Sequence, residues 1–393
     1  MSSGSIVSGR RAETASGAQA RALSILMLAP YLGGKGPLPK HTPVLVDSLR
    51  RLGCEVTVQT WGYRDEFESL ARKIWDRGRD VLLLRRLAER GGYDVIVVKT
   101  GHDWRTLTRD IPLLLATRGM SCKQVLQFHG SSPESLLAPG HRIFKSASRL
   151  LIRLSDAVMV LSRAEEKAWN EFYPSRDVYV VANPLVPRSE AGASVGGAAC
   201  PAASDCEPPM ILFVGRLTRA KGLFELLEAA RLLQAEHPDI PWRLVIAGEG
   251  PDSAALQSLS EQSGLADRVE FPGYLVGEQL DAAYRAASVF VLPSYAEGFP
   301  TVVTEAMAAG LPIVATSIRG LIDYLEDGVN ALFVEPRDAL GLYHALARLL
   351  QDEDLRRSMG RANRERVKIF EPDAVGSRYL STLEAILARP DHS

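Results

Sequence analysis

The sequence predicts an α/β protein made of two doubly wound domains in tandem, and three observations lead to this prediction. From Leu23 onwards, short apolar runs alternate with amphipathic segments. The runs are rich in β-branched residues and apolar on both faces, which is typical of parallel strands covered by helices. A stretch over 188–209, dense in Gly, Ala, Ser and Pro, interrupts the alternation, which then restarts. We therefore expect two parallel sheets, joined by a linker, that face each other across a cleft.

The first half of the chain predicts a polar tail followed by one domain. Residues 1–22 are rich in Ser, Gly, Ala and Arg and show no periodicity, so we expect a disordered tail. The first domain then spans 23–187, and the linker spans 188–209. Its periodicity predicts strands at 24–29, 55–60, 93–99, 124–128 and 157–161, and helices at 41–52, 66–90 and 140–155.

The second half predicts a similar domain over 210–372. A final helical segment, 373–393, can fold back onto the first domain, an arrangement that the sequence by itself leaves open. The pattern predicts strands at 210–214, 242–247, 269–271, 289–292, 313–315 and 331–334, and helices at 223–236, 252–264, 280–287 and from 301.

Length and composition exclude several classes of protein. The chain has 393 residues, of which 46% are hydrophobic, enough for two buried cores. Its four cysteines are too few and too scattered for a disulfide framework, although Cys200 and Cys206 are close enough in sequence to pair. The apolar run 23–29 follows three arginines as in a signal peptide, but it better fits a first buried strand. No run approaches the roughly 18–20 apolar residues that span a bilayer, so we expect a cytoplasmic protein.

The net charge of −1 conceals an asymmetry between the halves. Residues 1–190 hold 28 Lys and Arg against 19 Asp and Glu, whereas the remainder holds 18 against 28. The basic half favours an anionic partner, such as a membrane surface or a polyphosphate acceptor. No nucleic-acid-reading motif accompanies the charge, so we expect no nucleic-acid partner.

The strongest local signal is SYAEGFPTVVTEAMAAG, over 294–310. A strand ends before it, a glycine-containing loop follows, and Pro300 opens a helix that stops before Gly310. The amides of Gly298, Phe299 and Thr301 then lie at a helix N-terminus, which suits a diphosphate. Carboxylates nearby, Glu297 and Glu305, would pair with vicinal sugar hydroxyls. The alternative is a solvated glutamate pair on a surface helix.

Cations follow the first strand of the second domain in VGRLTRAKG, over 214–222. Arg216 and Lys221 come directly after a buried strand and can neutralise a departing diphosphate. We assign Arg219 to the surface. Surface cations remain the alternative for the other two.

Two further segments end strands in the same way. Gly248, in AGEGP after the strand 242–247, allows a nucleotide to approach the backbone, or simply makes a turn. The segment FPGYL over 271–275 presents Tyr274 as a wall for a base, whereas Phe271 fits core packing better.

In the first domain, Gly33 and Gly34 belong to a flexible loop that can approach phosphates. His129 follows the strand 124–128 and points into the cleft as a candidate ligand contact. The pair His102–Asp103 is a weaker candidate of the same kind.

Together, ILFVGRLTRAKG, LVIAGEGP, FPGY and EGFPTVVTEAMAAGLPIVAT resemble the retaining glycosyltransferases of the GT-B fold, family 4. The resemblance is specific over about 210–340 and weaker over 24–187. It implies two Rossmann-like domains and a UDP- or GDP-sugar donor bound mainly by the second domain. It also implies that no metal or other cofactor is needed. The first loop departs from the family's usual Gly-Gly-x-x-x-His, because eight positions separate Gly33 from His41.

The resemblance also implies a role for each candidate residue. Glu305 would bind the ribose hydroxyls and Glu297 the donor sugar, while Arg216 and Lys221 hold the diphosphate. The Gly33–Gly34 loop would approach the diphosphate, and His129 would contact the sugar near the reacting carbon.

The acceptor is predicted from residues 140–155, where Arg142, Lys145, Arg149 and Arg153 recur every three or four positions. Such a basic face can lie on an anionic leaflet, or it is the outer side of a helix packed on the sheet. We expect a lipid-diphosphate-linked glycan acceptor in polysaccharide assembly, on the inner face of the cytoplasmic membrane.

The alternatives are a transferase with a soluble acceptor, a sugar-nucleotide epimerase and a noncatalytic sugar-nucleotide-binding protein. A nicotinamide oxidoreductase is disfavoured, since the first loop lacks GxGxxG.

Overall fold

The computed structural model describes residues 21–32, 37–62, 70–131, 136–187, 208–298 and 300–390. Most of the predicted N-terminal tail and of the linker lies outside these residues. So do the Gly33–Gly34 loop, Phe299, Cys200 and Cys206. The boundaries of the linker therefore stay a prediction.

The first half of the chain forms a six-stranded parallel sheet with strand order β2-β1-β3-β4-β5-β6. Its strands are β1 (Ser24–Ala29), β2 (Glu55–Thr60), β3 (Val95–Thr100), β4 (Lys123–Phe128), β5 (Ala157–Val160) and β6 (Val178–Val180). The helices are α1 (Pro37–Arg51), α2 (Leu70–Gly91), α3 (Trp104–Thr117), α4 (Arg142–Leu154) and α5 (Arg163–Phe172). Separate apolar clusters cover the two faces of this sheet, as the two-sided apolar strands predict.

The second half forms another six-stranded parallel sheet, with strand order β12-β11-β10-β7-β8-β9. Its strands are β7 (Met210–Val214), β8 (Arg243–Ala247), β9 (Val269–Gly273), β10 (Val289–Leu292), β11 (Ile313–Thr316) and β12 (Ala331–Val334). The helices are α6 (Leu223–Glu236), α7 (Ser253–Gln262), α8 (Glu278–Ala286), α9 (Thr301–Ala309), α10 (Ala339–Gln351), α11 (Glu353–Arg366) and α12 (Pro372–Leu387). The prediction of two α/β domains is confirmed.

The structure adds several elements that the sequence pattern does not predict: β6, α3, α5, α10 and α11. Strand β6 has three residues, all half-buried, too few for a recognisable apolar run. Helix α3 contains Pro112 in its interior, which ordinarily argues against a helix. In both cases tertiary packing outweighs a weak local signal.

Helix α12 packs on the first domain, not on the second. Its residues Val375, Tyr379, Leu383 and Ile386 are buried in the apolar cluster beneath β1 and β3. Tyr379 also donates a hydrogen bond to Gln127 Oε1 at 3.0 Å. The chain therefore passes between the domains a second time before α12, and this helix ties the two domains together.

A second set of contacts joins the domains between α5 and the loop after β11. The Tyr324 hydroxyl donates to Leu161 O at 2.9 Å, and the amide of Arg163 donates to Asp323 Oδ2 at 2.7 Å. Burial raises the pKa of Tyr324 to about 12, so its hydroxyl remains a donor at neutral pH. These contacts fix the relative placement of the two sheets.

His102 lies in an aromatic core and not in the cleft, which corrects the interpretation of His102–Asp103 as ligand contacts. Its ring lies 4.8–5.5 Å from the ring centroids of Phe128, Phe144 and Trp169. Its Nε2 lies 3.0 Å from Ser148 Oγ. Asp103 caps the N-terminus of α3 by accepting from the amide of Thr106 at 2.8 Å.

His102 makes the stability of the fold depend on pH. Burial lowers its pKa from 6.5 to about 4, so the unfolded chain binds this proton at a higher pH than the folded one. Its contribution is fully present above pH 6.5 and is lost as the pH falls towards 4. We expect His102→Gln to remove about 2 kcal/mol of the stability difference between pH 7.5 and pH 5. Urea unfolding at the two pH values measures this difference, and an unchanged difference would contradict the assignment.

Candidate functional site

The candidate site lies at the carboxyl edge of the second sheet, where the loops after β7, β8 and β10 meet. Strand β7 lies between β8 and β10, so these three loops are neighbours in space. Parallel α/β sheets bind ligands at this edge. The predicted residues Arg216, Lys221, Gly248 and Glu297 all belong to these loops.

The loop after β7 is held tightly across the end of β10. Gly222 has φ +68, and a Cβ built on it would lie 2.0 Å from Pro293 O. The amide of Tyr295 donates to Ala220 O at 2.8 Å, which fastens the short turn Arg219–Lys221 to the segment after β10. Only glycine fits this conformation and this close approach. The crossing brings Lys221 next to Glu297.

Lys221 and Glu297 form an ion pair. The ammonium of Lys221 donates to Glu297 Oε1, and the two side chains are 23% and 13% exposed. The sequence places these residues at one edge but does not predict that they pair. A diphosphate that approaches the pair would meet the ammonium of Lys221, and a sugar hydroxyl would meet the carboxylate of Glu297. The pair therefore keeps an acceptor and a donor of hydrogen bonds in place without unbalanced charge.

The N-terminus of α9 points at the same edge. Pro300 occupies the cap position with φ −76, Thr301 is the first helical residue, and no described side chain caps this end. Four residues into the helix, Glu305 Oε2 accepts a hydrogen bond of 2.9 Å from the hydroxyl of Tyr284. Tyr284 is fully buried in α8 and orients this carboxylate. Sequence reasoning missed Tyr284, because an aromatic in an amphipathic helix ordinarily belongs to the core.

Gly248 lies where the β8 loop contacts the β7 loop. It is buried with φ +149, and a Cβ on it would lie 1.8 Å from Gly215 O. The backbone of the β8 loop thereby supports the β7 loop, and the amide of Leu217 donates to Glu249 O at 2.9 Å. Tyr274 follows β9 at the same edge and is 50% exposed, whereas Phe271 packs against the core.

The first domain meets this edge through the segment after β4. A Cβ built on Gly298 would lie 3.5 Å from Gly130 Cα, so the backbones of the two domains approach each other here. His129 precedes Gly130, and its Nε2 is buried with no hydrogen-bond partner in the described ranges. Burial, followed by Lys99 and His41, lowers the pKa of His129 well below its usual value. The imidazole is therefore uncharged at neutral pH.

Lys99 is a second buried group that the sequence analysis missed. It lies at the end of β3, in register with Gln127 of β4, and is 1% exposed. Burial lowers its pKa to about 7, so it is partly uncharged at neutral pH. The sequence sign of this residue is a single lysine in the otherwise apolar run VIVVKT. The run as a whole has the pattern of a buried strand, so the lysine does not stand out.

Arg216 differs from Lys221 in its surroundings. It is exposed, and no residue of the described chain pairs with it. Arg219 is also exposed, as expected, and its guanidinium carbon lies 4.8 Å from the ring centroid of Phe224. The described residues contain no group of three or more His, Cys, Asp or Glu side chains placed to hold a metal ion.

Comparison with protein families gives two matches that together cover most of the chain. Residues 202–366 match the family model "Glycosyl transferases group 1", and residues 40–188 match "Glycosyltransferase Family 4". The D-inositol 3-phosphate glycosyltransferase of Corynebacterium urealyticum is 40% identical over 156 residues, which are 38% of this chain and 37% of that protein. The chain aligns with little more than a third of the length of such relatives.

Solved structures share the fold over almost the whole chain. Sucrose-phosphate synthase from Thermosynechococcus elongatus matches with a TM-score of 0.71 at 21% identity, covering 93% of this chain and 99% of that one. Anabaena HepE in complex with UDP and glucose matches with a TM-score of 0.69 at 17% identity, covering 92% and 100%. At these identities the similarity shows the two-domain fold.

The crossing at Gly222 gives a test of how the site is held. Gly222→Ala and Gly264→Ala place the same methyl group at nearly the same positive φ, +68 and +70, but nothing lies within 4 Å of the Cβ at Gly264. We expect Gly264→Ala to cost about 1 kcal/mol of unfolding free energy through backbone strain alone. Gly222→Ala should cost about 2 kcal/mol more, because Pro293 O must move. Urea denaturation of both variants measures this difference, and equal losses would contradict the tight crossing.

Proposed function

The chain belongs to the family 4 glycosyltransferases of the GT-B fold, and on that premise we propose that it transfers a hexose from a UDP- or GDP-sugar to a glycan acceptor with retention of configuration. The single observation that carries this proposal is the meeting of Lys221, Glu297 and the amino end of α9 at one sheet edge, with Gly130 of the other domain beside it. A cation, a carboxylate and helix amides are the groups that a nucleotide-diphosphate sugar requires.

The donor would lie along this edge with each part matched to a group. Glu305, oriented by Tyr284, accepts hydrogen bonds from the ribose hydroxyls. Lys221, Arg216 and the amides of Gly298 and Thr301 hold the diphosphate. Glu297 accepts from hydroxyls of the sugar and Tyr274 borders the base, whereas Gly248 supports the β7 loop through its contact with Gly215 O.

The chemistry depends mainly on charge at the leaving group. The bond between the anomeric carbon and the diphosphate oxygen breaks, and the negative charge that develops is stabilised by Lys221, Arg216 and the dipole of α9. The acceptor hydroxyl attacks the same face of the oxocarbenium-like sugar, and its proton goes to a departing phosphate oxygen. Neutral His129 would contact the sugar near the reacting carbon without placing a positive charge against it. We expect no metal in this scheme, so EDTA should leave the rate unchanged.

Donor hydrolysis without an acceptor tests the proposal. Incubation of the protein with UDP- and GDP-hexoses should show slow release of UDP or GDP from one donor class. Lys221→Ala should lower turnover at saturating donor at least tenfold, which corresponds to about 1.4 kcal/mol of transition-state stabilisation. The matched control is Lys368→Ala, which removes a surface lysine paired with Glu365 and should keep normal turnover.

Three results would contradict the proposal. Failure to bind UDP, GDP or any of their sugars would exclude a nucleotide-sugar enzyme altogether. Binding without turnover, with acceptor glycans present, would favour the noncatalytic alternative. Conversion of the donor sugar to an epimer would identify the epimerase.

For the acceptor, we propose a lipid-diphosphate-linked glycan reached from an anionic membrane surface. Helix α4 packs on the sheet through Phe144, Leu151 and Ile152, so its outer side is exposed. That outer side carries Ile143, 76% exposed, and Leu150, 42% exposed. The arginines of the same side are also exposed: Arg142, Arg149 and Arg153. Cations beside exposed apolar side chains are typical of surfaces that adsorb to anionic leaflets.

A soluble phosphorylated polyol is the second candidate acceptor. It is favoured by the name of the 40% identical relative, a D-inositol 3-phosphate glycosyltransferase. Among the described residues, no helix combines the length and the apolar character that a membrane span requires.

Liposome flotation separates the two candidates. We expect the protein to float with vesicles that contain anionic lipid at low salt, and to be released at high salt. The variant Arg142→Gln/Arg149→Gln should lose most of this binding. The control Arg357→Gln, on α11 of the second domain and paired with Glu353, should retain it. No flotation at low salt, or equal flotation of the two variants, would contradict the membrane proposal.

A further inference from the structure

A second polar pocket lies behind the turn that carries Lys221. It has a volume of about 500 Å³ and is lined by Arg219, Ala220, Glu225, Tyr295 and Arg337. Lys221 extends from the same turn towards Glu297, whereas Arg219 and Ala220 line this pocket. The donor groups described above do not include any of these five residues.

Arg337 is held in the pocket at a backbone cost. It has φ +68, one of two positive φ values among the described residues other than glycine. Its guanidinium carbon lies 4.8 Å from the ring centroid of Tyr295. A bulky residue in this conformation is strained, and such strain concentrates at functional positions.

Two arginines, Arg219 and Arg337, line the pocket without an ion-pair partner among the described residues. Within the described part of the chain, neither Arg219 nor Arg337 has an acidic side chain within ion-pair distance, and both are exposed. A carboxylate accepts the paired N–H groups of one guanidinium, whereas a phosphate monoester has enough oxygens and charge to bind two guanidinium groups. The cations therefore favour a phosphate.

The remaining wall of the pocket accepts hydrogen bonds. The hydroxyl of Tyr295 donates to Glu225 Oε1 at 2.7 Å. The other oxygen, Glu225 Oε2, is buried and has no hydrogen-bond partner among the residues described. An unsatisfied carboxylate oxygen beside a polar pocket is matched by a ligand that donates hydroxyl groups.

We propose that this pocket binds a phosphate monoester of a polyhydroxyl compound, such as a hexose phosphate, separately from the donor. The phosphate bridges Arg219 and Arg337, and a hydroxyl donates to Glu225 Oε2. A volume of about 500 Å³ suits a ligand of this size. Because the ligand contacts the turn that also carries Lys221, the pocket lies where its occupancy can be transmitted to the donor site.

Calorimetric titration of the full chain tests this pocket with three probes: glucose 6-phosphate, inorganic phosphate and glucose. We expect glucose 6-phosphate to bind at least tenfold more tightly than inorganic phosphate, and glucose to show no binding. Binding of glucose 6-phosphate should persist in the presence of saturating UDP, since the pocket is distinct from the donor edge.

The variants Arg337→Gly and Arg219→Gln should each weaken glucose 6-phosphate binding at least tenfold. Glycine suits the positive φ at 337, so Arg337→Gly removes the guanidinium without disturbing the backbone. The control Arg231→Gln, on the same helix as Glu225 but paired with Glu228, should change binding less than twofold.

Several outcomes would overturn the proposal: no binding of glucose 6-phosphate, equal affinity for inorganic phosphate, binding abolished by UDP, or unchanged binding in both variants. None of them bears on donor hydrolysis, so this proposal and the proposed function fail separately.

Discussion

The close crossing of the β7 loop over the end of β10 is the constraint on which the rest of the site depends. Gly222 allows the chain to pass within contact distance of Pro293 O, and the hydrogen bond from Tyr295 to Ala220 locks the turn in place. One side of that turn then presents Lys221 to Glu297, and the other side presents Arg219 to the second pocket. A single backbone crossing therefore fixes the positions of two cations that serve different surfaces.

The arrangement of the two domains follows from contacts that are remote from this crossing. The last residues of the first domain and α12 are both tied to that domain: His41 Nδ1 donates to Pro184 O at 2.6 Å, and Tyr379 donates to Gln127. The amide of Leu185 also donates to Phe370 O at 2.7 Å, which links the two passages of the chain between domains. Together with the contacts of Tyr324 and Arg163, these bonds join the two domains.

The sequence predicts the sheets well because a buried parallel strand leaves a clear apolar run, and β1, β2, β7, β10 and β12 have the predicted bounds. It also places Lys221 and Glu297 at one edge, since the carboxyl ends of neighbouring parallel strands coincide. It does not predict their ion pair, which depends on the crossing at Gly222. His102 shows what the sequence does not predict. A histidine that follows a strand end has the same sequence pattern whether its side chain faces the cleft or the core. Only the packing of α4 and α5 around it decides that it is buried. Tyr284 and Lys99 are hidden for a related reason, because burial gives them the sequence pattern of core residues.

The distribution of charge across the cleft has a physical logic that the net charges of the halves conceal. The first domain is basic overall, yet burial shifts the basic groups near the cleft towards their uncharged forms. Burial lowers the pKa of His41 to about 4 and that of Lys99 to about 7, and holds His129 neutral. If His41, Lys99 and His129 were all charged, each buried cation would lose its hydration and would be repelled by the other two. On the facing edge of the acidic half, Arg216 is exposed and the charge of Lys221 is balanced by Glu297. The excess of arginine and lysine in the first half is left to outer surfaces such as that of α4, where solvent keeps the charges apart and an anionic partner can reach them.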